Sequence, residues 1–162
     1  MRYSGAGPFR LVIAQADDDA INGLPATTYT YSNADNSKTT VIVFNLRKSR
    51  SFAQPLYWCK DGNLVNWGGS VPAETILISP TPKDGGELTY QKDGISLTTY
   101  QHQINGQVQG QIFYGALNST TWAFQYHKPN DCGLDFYFAR LLKPGEQANG
   151  GEVAGFLTGD IP

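Results

Sequence analysis

The stretch Thr39-Thr40-Val41-Ile42-Val43-Phe44-Asn45-Leu46 decides the fold class. β-Branched and aromatic residues crowd it, and neither Gly nor Pro interrupts it. Read with a period of two, Val41 and Val43 share one face and Ile42 and Phe44 the other. A strand apolar on both faces lies in the middle of a structure, not at its surface. Shorter stretches of the same kind lie on either side: Phe9 to Gln15, Thr27 to Tyr31, Leu56 to Cys59, Leu64 to Trp67, Thr75 to Ser79 and Leu88 to Gln91. Ile95 to Ile104, Val108 to Tyr114, Thr120 to His127, Leu134 to Leu142 and Val153 to Leu157 follow. Asp61-Gly62, Asp93-Gly94 and Asn105-Gly106 stand between neighbouring runs as turn signals. No window holds a 3.6-residue apolar period for three turns. The pattern predicts an all-β chain of about ten to twelve short strands, a β-sandwich or a β-barrel. A trefoil-type barrel fits the length, although no threefold sequence repeat supports it.

The chain has 162 residues, enough for one domain with a real core, and residues 1–162 read as a single β domain. Residues 1–8, polar and glycine-rich, are expected to be flexible. Charged residues make up 16%, below the usual quarter, so Thr, Ser, Asn, Gln and Gly must supply the polar surface. The formal net charge of −2 argues against an electrostatic grip on nucleic acid or anionic lipid. The one dense basic run, Arg47-Lys48-Ser49-Arg50, reads as a solvated loop. No apolar stretch reaches the roughly 20 residues of a helical membrane span.

Secretion is the expected localisation. Two cysteines, Cys59 and Cys132, are far apart in sequence and are expected to form a disulfide. Asn118-Ser119-Thr120 is a glycosylation sequon with Asn118 as acceptor, and lysine is sparse. Residues 1–7 carry no apolar leader, so secretion implies one already removed.

Catalytic constellations are hard to find. His102 and His127 both lie in predicted strands, His127 at a strand end before Lys128-Pro129. Neither has a carboxylate or nucleophile at a spacing that defines a site. A Cys132–His pair is the one nucleophilic combination, and a disulfide removes it. No Gly-x-Ser-x-Gly elbow, phosphate loop or zinc spacing appears. Asp17-Asp18-Asp19 is the one carboxylate cluster, with Asp17 and Asp19 as conceivable calcium ligands in what otherwise reads as a solvated turn. No cofactor is expected, and no metal site is assigned.

Aromatic and amide side chains are the stronger binding candidates. The chain carries 3 Trp, 9 Tyr and 8 Phe. Tyr57, Trp58 and Trp67, with Tyr29 and Tyr31, lie nearest to turns, where rings can stack on a sugar or anchor a partner. The same rings also serve to pack a core whose only methionine is Met1. In the 97–113 hairpin, a three-residue loop Asn105-Gly106-Gln107 pairs Ile104 with Val108, His102 with Gly110 and Tyr100 with Ile112. That register puts His102 toward the core and Gln101, Gln103, Gln109 and Gln111 on an outer polar ladder.

Three segments together have a family look: Phe9-Arg10-Leu11-Val12-Ile13-Ala14 with Ile21-Asn22-Gly23-Leu24, then Leu56-Tyr57-Trp58-Cys59-Lys60-Asp61-Gly62-Asn63-Leu64, then Cys132-Gly133-Leu134-Asp135-Phe136-Tyr137. Their order resembles small, cysteine-poor secreted fungal proteins, some of which act as effectors or elicitors on plant hosts. The resemblance implies secretion and a β-rich fold; it transfers no catalytic residue and names no ligand. The expected function is a non-enzymatic, effector- or lectin-like binding protein whose partner is a cell-surface glycan or a host protein. Two alternatives stand beside it. One is a small hydrolase using His102 or His127 with a carboxylate. The other is a protease inhibitor presenting the stiff Pro80-Thr81-Pro82 loop.

Overall fold

A computed structural model describes residues 9–46, 56–60, 63–67, 76–78, 88–90, 95–127 and 135–160. In 56–60, 63–67 and 76–78 and at Tyr90 only the backbone is described, Leu64 excepted. The strands are β1 (Arg10–Ala14), β2 (Ala26–Ser32), β3 (Lys38–Asn45), β4 (Leu56–Lys60), β5 (Asn63–Trp67), β6 (Ile76–Ile78) and β7 (Leu88–Tyr90). They continue as β8 (Ile95–Ser96), β9 (Thr98–Ile104), β10 (Gln107–Gly115), β11 (Trp122–His127), β12 (Phe136–Leu141) and β13 (Glu152–Asp160). A single 3₁₀ turn, Asp19–Ile21, is the only helical element among the described residues. The chain is all-β, as its alternation predicts. Every strand pairing is antiparallel, along an open path β4-β5-β9-β10-β13-β11-β12-β3-β7-β6-β8, with β1 on β13 and β2 on β3.

β13 organises this path. Its first half, Glu152–Gly155, pairs with β11, from Gln125 to Trp122. Its second half pairs with β1, from Phe156↔Ala14 to Asp160↔Arg10, and Thr158 pairs with Phe113 of β10 on the opposite edge. The main core gathers residues from both halves of the path: Leu11 and Ile13 of β1, Ile42 and Phe44 of β3, Trp122 and Phe124 of β11, and Leu157 of β13. Phe44 and Phe124 meet edge to face at 5.6 Å. The Trp122 indole N–H, deep in this core, donates to the Tyr114 carbonyl at 2.9 Å, so its polar atom is satisfied.

β3 is buried on both faces, as its composition requires. Ile42 and Phe44 enter the main core, whereas Val41 and Val43 join a second cluster with Phe136, packed by Tyr29, Tyr31 and Phe138. The segment read as one strand from Ile95 to Ile104 is two. The chain leaves β6 after Ser96, and β9 begins at Thr98, with the fully buried Leu97 between them accepting a hydrogen bond from Leu64 N–H at 3.2 Å.

The β9–β10 hairpin corrects the predicted register. Ile104 pairs with Gln107 and Gln103 with Val108, so the loop is Asn105-Gly106 alone, with φ of 52° and 78°. Two positive-φ residues are what a type I′ hairpin turn demands. Beyond Val108 the register shifts, and Ile112 pairs with Gln101 and Phe113 with Tyr100. Residues 109–111 bulge opposite His102, and Gly110 lies in that bulge. The expected pairs His102–Gly110, Gln103–Gln109 and Gln101–Gln111 do not form.

Candidate functional site

The outer face of the β2-β3-β12-β11 region is built from alternate residues of neighbouring strands. β2 supplies Tyr29 and Tyr31, whose rings lie 6.3 Å apart and tilted by 32°. Tyr29 also lies 5.1 Å from Phe136 of β12. His127, the last residue of β11, stacks on Phe136 at 4.7 Å and 13° and meets Phe138 edge-on at 5.5 Å. Phe136 is buried, while Tyr29, Tyr31, His127 and Phe138 remain half-buried. The result is a strip of five rings with a buried centre and partly open flanks. Exposed Gln125 stands beside it on β11.

Next along β12 is Arg140, on the same face as Phe136 and Phe138 by the period of two. Its guanidinium donates from Nε and an Nη to both Glu152 oxygens, at 2.7 and 2.8 Å, and from the other Nη to Glu146 at 3.0 Å. Each glutamate closes a four-residue turn. Glu146 N–H donates to the Lys143 carbonyl, and its carboxylate accepts from Lys143 N–H at 2.9 Å. Glu152 repeats both bonds with Asn149. Gly145 and Gly151, the third residues of the turns, have φ of 82° and 86°. Glycine takes that conformation at no steric cost. The Arg140 contact holds the Glu152 carboxyl below its ordinary range, and the Lys143 N–H followed by Arg140 does so for Glu146.

A shallow groove of about 370 Å³ runs from Asp17 and Asp18 to Gln147, Glu152 and Ala154. Two of its carboxylates, Asp18 and Glu152, already have work to do. Asp18 accepts from Ala20 N–H at 2.9 Å, capping the 3₁₀ turn, and Glu152 holds Arg140. Asp19, paired with Asp17 in the calcium expectation, accepts from the Asn22 side chain at 3.2 Å. Near one end of the β11–β12 ladder, Tyr126 and Tyr137 pack at 5.6 Å, and the Tyr126 hydroxyl donates to Asp135 at 3.1 Å. Burial, then the Asp18 charge, raises the Tyr137 phenol, and desolvation, then the Asp135 bond, raises Tyr126. Among the described residues no three His, Cys, Asp or Glu side chains converge as a metal cage would.

The histidines fall into different surroundings. His102 is half-buried, stacked on Phe113 at 4.1 Å and set edge-on to Phe156 at 5.0 Å, with Nε2 2.8 Å from the Thr120 hydroxyl. His127 belongs to the aromatic strip. Of the four glutamines, Gln101, Gln103 and Gln111 are exposed and Gln109 is half-buried. Gln111 accepts from the Gln15 side chain at 3.0 Å, and Gln109 donates to the Gln107 carbonyl at 3.2 Å. Tyr57, Trp58 and Cys59 lie on β4 and Trp67 on β5, where Tyr57 pairs with Asn66 and Cys59 with Leu64. Their side chains, like Cys132, Pro80-Thr81-Pro82 and the 47–50 basic run, lie outside the described residues.

Sequence reading named Tyr29 and Tyr31 but missed Phe136, Phe138 and the Arg140 network. The signal for the former was available. Phe136-Tyr137-Phe138 is aromatic at three consecutive positions, so rings must stand on both faces of the strand. The network had a fainter one, in the two segments Pro144-Gly145-Glu146 and Gly150-Gly151-Glu152. No protein-family model and no curated protein matches this chain.

Proposed function

We propose that this chain is a secreted, non-enzymatic binding domain whose ligand is a cell-surface glycan, in the manner of a lectin or an effector. The observation that carries the reading is the ring strip Tyr29, Tyr31, Phe136, Phe138 and His127, partly open and flanked by exposed Gln125. Aromatic faces pack against the C–H surfaces of a sugar, and side-chain amides satisfy its hydroxyls. The strip is set on strands, where side-chain positions cost little to hold. The test is a glycan array probed with wild type, Tyr31→Ala and Phe138→Ala. The expected result is retention of a defined glycan class, weakened at least tenfold in both folded variants. Retention that neither variant changes, or capture of a host protein with no glycan retained, overturns it.

Two finer structural readings accompany this one. The strands β13, β1, β2, β3, β12 and β11 close into a six-stranded barrel around the main core. Its support is the bridge Val12↔Pro25, with the bonds Ile13 N–H to Leu24 O at 3.2 Å and Gly23 N–H to Ile13 O at 2.8 Å, which tie β1 to the start of β2. Cys59 and Cys132 form a disulfide, as expected of a protein in an oxidising compartment. Two free thiols in unfolded, unreduced protein would sink the second reading.

A further inference from the structure

The sequon lies at the tip of a tight turn. Ala116 and Ser119 exchange two backbone hydrogen bonds, at 3.0 and 2.9 Å. Between them Leu117 and Asn118 take φ of 52° and 61°, a second pair of positive-φ residues in a two-residue loop. Asn118 is exposed, and its backbone N–H donates to the Tyr100 hydroxyl at 3.4 Å. Ser119 is buried. The Thr120 hydroxyl is held by His102 Nε2 at 2.8 Å, and the His102 ring is in turn packed by Phe113 and Phe156. Before the turn, the chain passes so close to itself that a Cβ on Gly115 would collide with the Ser119 carbonyl.

We propose that Asn118 is an N-glycosylation acceptor and that the sugar must be transferred before this turn folds. The proposal rests on the secretory reading above for its natural setting. In the transfer, Asn118 Nδ2 forms a bond to C1 of an oligosaccharide carried on a polyprenyl diphosphate. The C1–O bond to the diphosphate breaks, the diphosphate leaves with the electron pair, and the amide gives up one proton to the transferase. The enzyme reads the asparagine together with the hydroxyl two residues later in an accessible stretch of chain. In the folded protein that hydroxyl is engaged by His102, the middle residue is buried and the asparagine is left-handed. The finished product nonetheless suits the fold. Asn118 points outward at a turn tip, beside a Leu117 side chain that is 63% exposed and that the first sugar can cover.

The test uses the full chain with a purified oligosaccharyltransferase and its polyprenyl-diphosphate donor, which makes the outcome independent of where the protein naturally resides. The unfolded chain is expected to be modified at Asn118 alone, at least tenfold faster than the folded chain. Asn118→Gln and Thr120→Ala should each abolish the mass shift. His102→Ala, checked for retained β-sheet circular dichroism, should raise the folded-state rate several-fold by freeing Thr120. An unfolded chain left unmodified overturns the acceptor assignment, and equal rates for folded and unfolded chain overturn the order of events. Unchanged folded-state transfer in a well-folded His102→Ala removes the role given to that histidine.

Discussion

Arg140 is the most heavily tied charged residue among those described, and two glutamates reach it by the same local device. A glutamate at the fourth position of a glycine-containing turn accepts from the first residue's N–H and still has an oxygen for the guanidinium. Glu152, with 7% of its side chain exposed, is the more enclosed partner. Glu152→Gln should therefore cost about 2 kcal/mol, the range of a charge-assisted hydrogen bond lost in a partly buried site, measured by urea unfolding. The pH dependence follows in sign. Both carboxyls titrate below the ordinary 4.5 of the unfolded chain, so their stabilisation is whole above about pH 4.5 and disappears as the pH falls through the lowered native values. Melting temperatures taken from pH 7 to pH 2.5 should fall less steeply on the acid side for Glu152→Gln than for wild type. Equal slopes would show that other carboxylates govern acid unfolding. Leu117 makes the opposite case, a side chain that works against its own backbone. It is exposed and left-handed, so Leu117→Gly should stabilise the fold by about 0.5–1 kcal/mol, what remains of the left-handed penalty after glycine's greater unfolded-state entropy is subtracted. A lower melting temperature would mean that the leucine makes contacts which outweigh that strain.

Most single elements were legible in the sequence to within a residue or two, because alternation and turn chemistry are local; the expected Val153–Leu157 strand stopped three residues short of the end of β13, and Ile95–Ile104 proved to be two strands. β3 ran from Lys38 to Asn45 against an expected 39–46, and β11 ended at His127 as read. The hairpin at Asn105-Gly106 shows where local rules compete. Keeping apolar and polar faces apart along the whole hairpin demanded a three-residue loop. Turn chemistry demanded two, and it prevailed at the tip, where Ile104 and Val108 are more than half exposed and no buried face enforces register. Farther down, Phe113 and Tyr114 are both buried although they lie on opposite faces, and the 109–111 bulge shifts the register so that Phe113 pairs with Tyr100 and Tyr114 with Thr99. His102 thereby reaches Phe113 and Phe156 instead of lying over Gly110. Gly106→Ala, which puts a Cβ at φ 78°, should cost about 1–2 kcal/mol. It should also speed amide exchange at 103–108 before it affects the core strands. Uniform loss of protection across all strands would instead make the hairpin part of the global folding unit.

Across the molecule, periodicity announced which faces are buried but not which strands meet. A strand's partners depend on the whole chain, and nothing in Glu152–Asp160 itself indicates that β11, β1 and β10 all pair with it. The aromatic strip was hidden for the same reason, since Tyr31 and His127 are 96 positions apart in the chain and are linked into one strip only through Tyr29 and Phe136, which β3 and β12 bring together. The central role of β13 makes Leu157, fully buried in the main core, a sensitive position. Leu157→Ala should cost about 3 kcal/mol, as large-to-small core changes do, and it should weaken protection in β1 and β11 alike. A loss confined to β1 would show that the two halves of the path are separable. The Arg10–Asp160 ion pair that fastens the far end of the β1–β13 ladder joins residues 150 positions apart. A ribosome adding roughly 5–20 residues per second needs several seconds or more to deliver that stretch of chain. Until then β1 and β11 have no β13 to pair with. Throughout that interval the sheet stays unfinished, with sticky strand edges open to chaperones.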